Sequence, residues 1–470
     1  MASTRPDPRL AVAVTAAKGI SVASRRLGRG GGTAAPGLVA DRIDPMLLGK
    51  IASQLSRGAI VVAGTNGKTT TSRIIADVLE ADGAKVVHNR SGSNLVRGVA
   101  AAFAESSSYL GRPNGDAGVI EADEAAFPEI VRRVKPRVVL LNNLFRDQLD
   151  RYGELHTIAT MWKPALASLP STSTVVVNVD DPALAVLTEN LTAKRITFGM
   201  RDIEQRLDKV PHAADSIRCP KCDTALEYDA LYLSHLGAWH CPNCGAKRPE
   251  LDVAGESLVL AGVESLTMTV AESDAESWPL EIGVPGLYNA YNALAASAVS
   301  RAIGVKPATI AKTMAAFRSA FGRIERLTYR NRKITIALVK NPVGFNEVLR
   351  MLVPDGSLKV PALIAINDLA ADGRDVSWLW DVDFELLGGA GAKLATAGIR
   401  GTDMANRLKY AGVDVERISS LGTDLDRALD AFVDLVPDGE TAYILPTYTA
   451  MLDIRRILAG RGAIAKFWEQ

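Results

Sequence analysis

The stretch GTNGKTTT, Gly64 to Thr71, decides how this chain is read. It follows an apolar run, Ala59-Ile60-Val61-Val62-Ala63, of the length and composition of a buried strand. It precedes Ser72-Arg73-Ile74-Ile75-Ala76-Asp77-Val78-Leu79, whose apolar spacing predicts a helix. A strand, a glycine-rich turn and a helix in that order make a phosphate cradle, because the N–H groups of the turn and the positive end of the helix dipole face the anion. In such a cradle Gly64, Thr65, Asn66, Gly67 and Thr70 form the wall. Lys68 supplies a point charge to the outer phosphates, and the Thr69 hydroxyl ligates Mg²⁺. The strict P-loop spacing requires glycine at position 62, where this chain has Val62. The loop is a shortened variant, and the expectation is an ATP or GTP site.

Working outward, further apolar runs end in polar residues: 117–121, 137–143 and 174–181, with helical stretches between them. This pattern predicts a mostly parallel sheet, with ligands at the carboxyl ends of its strands. The first of these runs leads into Glu121-Ala122-Asp123-Glu124. A carboxylate there suits Mg²⁺, although acids at a strand end are equally often solvated surface. The helix NAYNALAASAVSRAIG lies near residues 288–303, and a second strand-and-helix series follows Phe321-Gly322-Arg323, with strands expected at 333–339, 362–366 and 441–445. The reading is an α/β protein in three parts. Residues 1–56 are a helical and glycine-rich segment, 57–319 a central nucleotide-binding domain, and 320–470 a smaller α/β domain.

The four cysteines are Cys219, Cys222, Cys241 and Cys244, in CPKC and CPNCG. Two matched Cys-x-x-Cys knuckles complete a tetrahedral S₄ shell for structural Zn²⁺, read as a ribbon inserted at 213–250. Disulfides compete with this reading, but a cytosolic chain is kept reduced. A closed S₄ shell leaves no open position for substrate. With all four thiols on zinc, no cysteine remains as a nucleophile, so a glutamine-derived nitrogen would require a thiol on another chain.

Composition narrows the function. Hydrophobic residues make up 47% and charged residues 23%, with a formal net charge of +1. That balance is globular and opposes a general nucleic-acid binder, including a nucleotide-gated zinc-ribbon module. No apolar run approaches the length of about 20 residues that spans a bilayer, and the stretch 10–20 reads as a helix rather than a signal peptide. The expectation is a cytoplasmic protein. Arg5, Arg9, Lys18, Arg25, Arg26 and Arg29 make the start basic. Such a face either touches an anionic membrane surface or, more commonly, is the solvated side of a helix packed on its own domain.

These residues resemble the Mur ligases and folylpolyglutamate synthetases. GTNGKTT is similar to that family's shortened cradle, RDQLDRYG at 146–153 to its DHLDRHG loop, and VNVDDP at 177–182 to its N-x-DDP. GLYNAYNALAA at 286–296 is similar to its G-x-HN-x-x-N-x-LAA helix and FGRIE at 321–325 to its GR-x-E linker. The resemblance implies a Mur ligase-like fold and ATP-dependent carboxylate activation through an acyl phosphate. It implies that Lys68 stabilises the transferring phosphoryl group and that Thr69 and Glu121 hold Mg²⁺. It further implies that Asn289 reads adenine and that Arg323 contacts phosphate. Gln148 stands where the family has a metal-ligating histidine, Tyr288 replaces the histidine of the HN pair, and Lys163 lies near the position of a carbamylated lysine in many members.

The paired knuckles, KNPVGFN at 340–346, DGRDVSW at 372–378 and LGRGGGT at 27–33 extend the likeness over nearly the whole chain. They are similar to the amidating branch of the family, the synthetase subunits of lipid II isoglutaminyl synthases. That branch implies amidation of the α-carboxyl of D-glutamate in the lipid II stem peptide to D-isoglutamine, with ammonia from a GatD-like glutaminase. It also implies an aspartate lent to the partner's Cys-His pair, for which Asp375 is the first candidate and Asp372 and Asp381 are rivals. Each of the three is equally readable as a turn residue capping the next helix. Trp378 and Trp380 read as interface anchors or, more commonly, core. An amino-acid-adding ligase is the alternative activity, and the unusual last domain weighs against it.

Overall fold

The computed structural model describes residues 7–26, 34–89, 93–145, 155–212, 214–262, 264–318, 324–353, 358–389 and 391–464. The central strands are β1 Gly58–Ala63, β2 Val86–His88, β3 Ala117–Glu121, β4 Val138–Leu141, β5 Thr174–Asn178 and β6 Lys194–Met200. After them come β7 Glu227–Leu233, β8 Leu236–His240, β9 Val253–Ala261, β10 Ser265–Glu272 and β11 Trp278–Ile282. Nine of these form one sheet in the order β11-β10-β9-β6-β5-β4-β1-β3-β2. Every pairing from β2 to β9 is parallel, and β9-β10-β11 finish the sheet as an antiparallel edge. That edge is absent from the sequence-based expectation, because its half-exposed strands alternate polar with apolar residues and lack a continuous apolar run.

Period-two alternation splits β1 between two cores: Ala59, Val61 and Ala63 pack on one face of the sheet, Ile60 and Val62 on the other. Both faces are covered, so the interiors of β1, β3, β4 and β5 are apolar up to their carboxyl ends. The helix Lys68–Ala81 follows β1, and the helix Leu287–Ala302 packs beside it. The N-terminal helix Pro8–Arg26 buries Leu10, Ala13, Val14 and Ala17 in the core, while Lys18 Nζ donates to the Glu105 carbonyl at 3.0 Å. Along its described side chains it is a helix packed on its own domain. Among the described residues no helix is long and apolar enough to cross a membrane.

A second sheet has the order β12-β13-β17-β14-β15-β16, from β12 Ile324–Tyr329, β13 Arg332–Ala337, β14 Ala362–Ala365, β15 Leu394–Ala397, β16 Ile418–Ser420 and β17 Thr441–Pro446. Only β12 is antiparallel to its neighbour. The three strands expected in this part correspond to β13, β14 and β17. The expected domain junction at 319/320 lies outside the described residues.

Candidate active site

The cradle begins where β1 ends. Gly67 adopts φ +83° and caps the helix Lys68–Ala81. A Cβ there would meet Asn292 Oδ1 at 2.0 Å, so both the left-handed backbone and the close approach require glycine. Two asparagines just beyond β4 hold the turn. Asn143 Oδ1 accepts from the Asn66 N–H at 2.8 Å, and Asn142 Nδ2 and Asn143 Nδ2 donate to the Asn66 carbonyl at 3.0 and 3.1 Å. Thr65 Oγ1 donates to the Phe145 carbonyl and accepts from its N–H, both at 3.0 Å.

Lys68 is buried, and its ammonium donates to the Gly64 carbonyl at 2.6 Å, the Thr65 carbonyl at 3.2 Å and Glu124 Oε1 at 2.6 Å. Glu124, the last acid of the EADE run, is therefore the lysine's partner, a role that spacing did not assign. Trp162 Nε1 donates to the Glu124 carbonyl at 2.9 Å and fixes that backbone. Glu121 stands in register with Val62 at the carboxyl end of β3, buried beside the loop. Thr69 is half-buried at the start of the helix, and a carboxylate and a hydroxyl are oxygen ligands of the kind Mg²⁺ takes from protein.

A cleft opens beside the turn, lined by Asn66, Gly67 and Thr70 on one side and by Tyr288, Asn289 and Asn292 on another. Lys340, Asn341, Gly344 and Glu347 of the second α/β unit close it. Asn289 is buried, donating to the Pro285 carbonyl at 2.6 Å and accepting from Asn292 Nδ2 at 3.1 Å. Asn341 links the two units: its Nδ2 donates to Asn66 Oδ1 at 2.9 Å, and its Oδ1 accepts from the Gly344 N–H at 2.8 Å to cap the helix Pro342–Leu352. Asn142, Asn143, Asn292 and Asn341 were legible as polar strand ends or motif residues, but nothing in the sequence said which loop each would hold.

Burial raises the carboxyl of Glu347, with Arg350 Nη1 at 2.9 Å partly offsetting it. Lys163 is exposed on the helix Leu155–Ala167, which turns Trp162 inward instead. Gln148 and Arg323 lie outside the described residues.

The four cysteine sulfurs lie within 4.8 Å of one another. Cys219 and Cys244 Sγ are 3.6 Å apart and Cys222 and Cys241 Sγ 3.5 Å apart. A tetrahedral S₄ shell with Zn–S near 2.3 Å has edges of about 3.8 Å, so the set fits zinc. The thiols also crowd one another as a cation site should. Hydrogen bonds from Thr224 bring Cys222 down to about 5. Cys244 rises to about 12 despite a backbone hydrogen bond at Ala246, through desolvation and the other three sulfurs.

The three candidate aspartates have separate environments. Asp372 is buried, and its carboxylate accepts from the Thr449 N–H at 2.8 Å, from the Thr449 hydroxyl and from the Leu369 N–H at 3.2 Å. Asp375 is exposed, and the Ser377 N–H at 2.8 Å holds its carboxyl below the usual range. Asp381 is half-buried at the end of the 3₁₀ turn Ser377–Asp381. Trp378 is half-buried against Phe345, whereas Trp380 is 54% exposed and lies 5.7 Å from the exposed Tyr410 ring.

This architecture is that of the Mur ligases. A pseudomurein peptide ligase type C from Methanothermus fervidus superposes with a TM-score of 0.65 at 18% identity, covering 87% of this chain and 79% of that one. MurF from Thermotoga maritima in complex with ADP gives 0.59 at 14%, covering 89% and 84%. The Mur ligase middle-domain family matches residues 62–222. The family of the MurT ligase C-terminal domain matches residues 338–451. MurT of the lipid II isoglutaminyl synthase (glutamine-hydrolyzing) from Streptococcus pneumoniae is 34% identical over 443 residues, 94% of this chain and 95% of that one. The Staphylococcus aureus (strain COL) MurT is 32% identical over 440 residues, 93% and 95%. The chain belongs to the MurT family.

Proposed function

We propose that this protein is the synthetase subunit of a lipid II isoglutaminyl synthase. It amidates the α-carboxyl of D-glutamate in the stem peptide of lipid II, using ATP and ammonia released from glutamine by a GatD-like subunit. The observation that carries the reading is end-to-end likeness to MurT, 34% over 94% of the chain, with a nucleotide cradle closed by the segment 340–344.

In the mechanism, the α-carboxylate oxygen attacks the γ-phosphorus and ADP leaves, giving an acyl phosphate. Ammonia then adds to the acyl carbon, loses a proton, and inorganic phosphate departs. Lys68 swings from Glu124 to the phosphoryl oxygens as negative charge gathers there. The turn N–H groups at the start of the helix Lys68–Ala81 hold the inner phosphates. Asn289 and Asn292 orient the base in the cleft, and Arg323 is assigned to the phosphates by motif. Thr69 and Glu121 would hold Mg²⁺, which would neutralise phosphate charge. Zn²⁺ on Cys219, Cys222, Cys241 and Cys244 is structural.

Asp375 is the aspartate offered to the partner's Cys-His pair, because it is exposed and, among the described residues, engaged only by its near neighbour Ser377. Such a carboxylate orients an imidazole and stabilises its charged form. Asp372 is already engaged by Thr449 and Leu369. Trp380 and Tyr410 supply exposed aromatic area nearby of the kind that anchors interfaces. Lipid II brings the enzyme to the cytoplasmic membrane face, without any described helix crossing it.

The test is amide formation from lipid II, ATP and ammonium by the purified chain, then from glutamine once the partner is added. No amide in either condition rejects the reading. Incorporation of a labelled amino acid without ammonia would move the assignment to an amino-acid-adding ligase.

A further inference from the structure

We propose that the cysteine ribbon forms one wall of the nucleotide cleft, so that zinc and nucleotide bind cooperatively. The proposal rests on the reading of the cleft as the nucleotide site.

Hairpin geometry carries the argument. Strands β7 and β8 form a two-stranded sheet of their own, apart from both large sheets, with one isolated bridge from His240 to Lys247. Such a hairpin is marginal on its own and needs something at both ends. At its open end stand the cysteine knuckles, Cys219 and Cys222 before β7 and Cys241 and Cys244 after β8. At its closed end is the turn Ser234–His235, with Ser234 at φ +54°. Leu233 and Leu236 flank that turn, 2% and 1% exposed, and both line the cleft with Asn66, Gly67 and Asn289.

The hairpin is tied to the nucleotide-binding sheet by groups that a loose ribbon would withdraw. Trp239 Nε1 donates to the Val179 carbonyl at 3.0 Å, and the Gly237 N–H donates to the Asp180 carbonyl at 3.0 Å. Just past the knuckles, Arg248 Nη1 donates to Asp180 Oδ1 at 2.7 Å. The fully buried His235 ring lies 4.9 Å from the Phe145 ring, and Phe145 exchanges two backbone hydrogen bonds with the Thr65 hydroxyl. A run of direct contacts thus leads from the hairpin turn to the phosphate loop. The hairpin also reaches the second α/β unit, since the Tyr232 carbonyl accepts from Arg350 Nη1 at 3.1 Å.

The physical consequence is reciprocal. Without metal the four thiols lose their common partner, the open end frays, and Leu233 and Leu236 no longer hold the wall against bound nucleotide. A coupling that lowers nucleotide affinity on zinc loss must raise zinc affinity on nucleotide binding by the same factor.

Two measurements on the full chain test this. The first is zinc affinity, by competition with a zinc-selective chromophoric chelator, with and without saturating Mg·ADP. The second is the ADP Kd of Leu236→Ala, with its zinc content checked by metal analysis. The expected results are zinc affinity raised at least about fivefold by ADP, and ADP bound at least about fivefold more weakly by Leu236→Ala with zinc retained. Zinc affinity indifferent to ADP overturns the coupling, and it needs no variant to fold. If wild type binds no ADP at all, the nucleotide reading of the cleft fails too. ADP bound equally well by wild type and Leu236→Ala overturns the placement of the hairpin turn as the cleft wall.

Discussion

Replacing Glu124 by glutamine removes the charge that holds Lys68 in the free protein. The pair is 2.6 Å apart with side chains 11% and 6% exposed, so water cannot take over for the lost carboxylate. Breaking one side of a buried pair costs about 3–5 kcal/mol, since the remaining charge stays desolvated. Here the Gly64 and Thr65 carbonyls still accept from the ammonium, and the amide oxygen introduced by Glu124→Gln still reaches it. The cost should therefore fall at the lower end, about 3 kcal/mol. At about 2–4 °C per kcal/mol, the melting temperature of the nucleotide-free protein should drop by roughly 6–12 °C. Phosphate oxygens then supply the missing charge, so Mg·ADP should stabilise the variant more than wild type. A tenfold gain in affinity adds about 1.4 kcal/mol at saturation, roughly 3–6 °C of extra shift. Differential scanning fluorimetry with and without Mg·ADP reads both effects. A melting temperature within about 1 °C of wild type, or an ADP shift no larger than wild type's, would refute the assignment of Glu124 as the lysine's resting partner.

Asp180 accepts from Arg248, from the Tyr291 hydroxyl at 2.7 Å and from the Met200 N–H at 2.8 Å. Asp180→Asn should cost about 3–5 kcal/mol in chemical denaturation and, through Arg248, loosen the ribbon; Tyr291→Phe should cost about 1 kcal/mol. Asp372→Ala should lower stability and both activities together, whereas Asp375→Ala should spare ammonium-driven amidation and lose the glutamine-driven reaction; equal losses in both reactions would return the choice to Asp381. Burial raises the Glu347 carboxyl above its ordinary 4.5, so the folded state binds that proton more tightly than the unfolded chain. Its stability contribution is therefore full below about 4.5 and lost as pH rises through the elevated value. Glu347→Gln should remove that loss, and its melting temperature should gain on wild type as pH rises above the ordinary 4.5 of a glutamate carboxyl; a pH-independent difference would contradict the burial argument.

Much of the candidate site was legible one residue at a time. Gly67, Lys68 and Thr69 announced a phosphate cradle because backbone N–H groups, a fixed cation and a hydroxyl are what an anion with Mg²⁺ requires. The knuckle spacing announced an S₄ shell for the same kind of reason, since each tight turn brings two thiolates to one ion. Parallel strands showed themselves as apolar runs, while β9 to β11 stayed hidden because an edge with one wet face has no such run. The acidic run EADE could not be divided by spacing. Only the fold turned Glu124 toward Lys68 and left Glu121 beside Val62.

Short runs of residues already carry the chemistry available to this protein: a phosphate cradle, a four-cysteine metal shell, no spare thiol, and a likeness to carboxylate-activating ligases. Those follow from local geometry, which a few consecutive residues set. Tertiary structure decided which distant groups meet. It joined Asn341 to Asn66 across 275 positions, and it brought the turn of the cysteine hairpin to the wall of the nucleotide cleft. It also buried Asp372 and exposed Asp375, three residues apart. Burial, partner and charge environment belong to packing between segments far apart in the chain, and no local pattern encodes them.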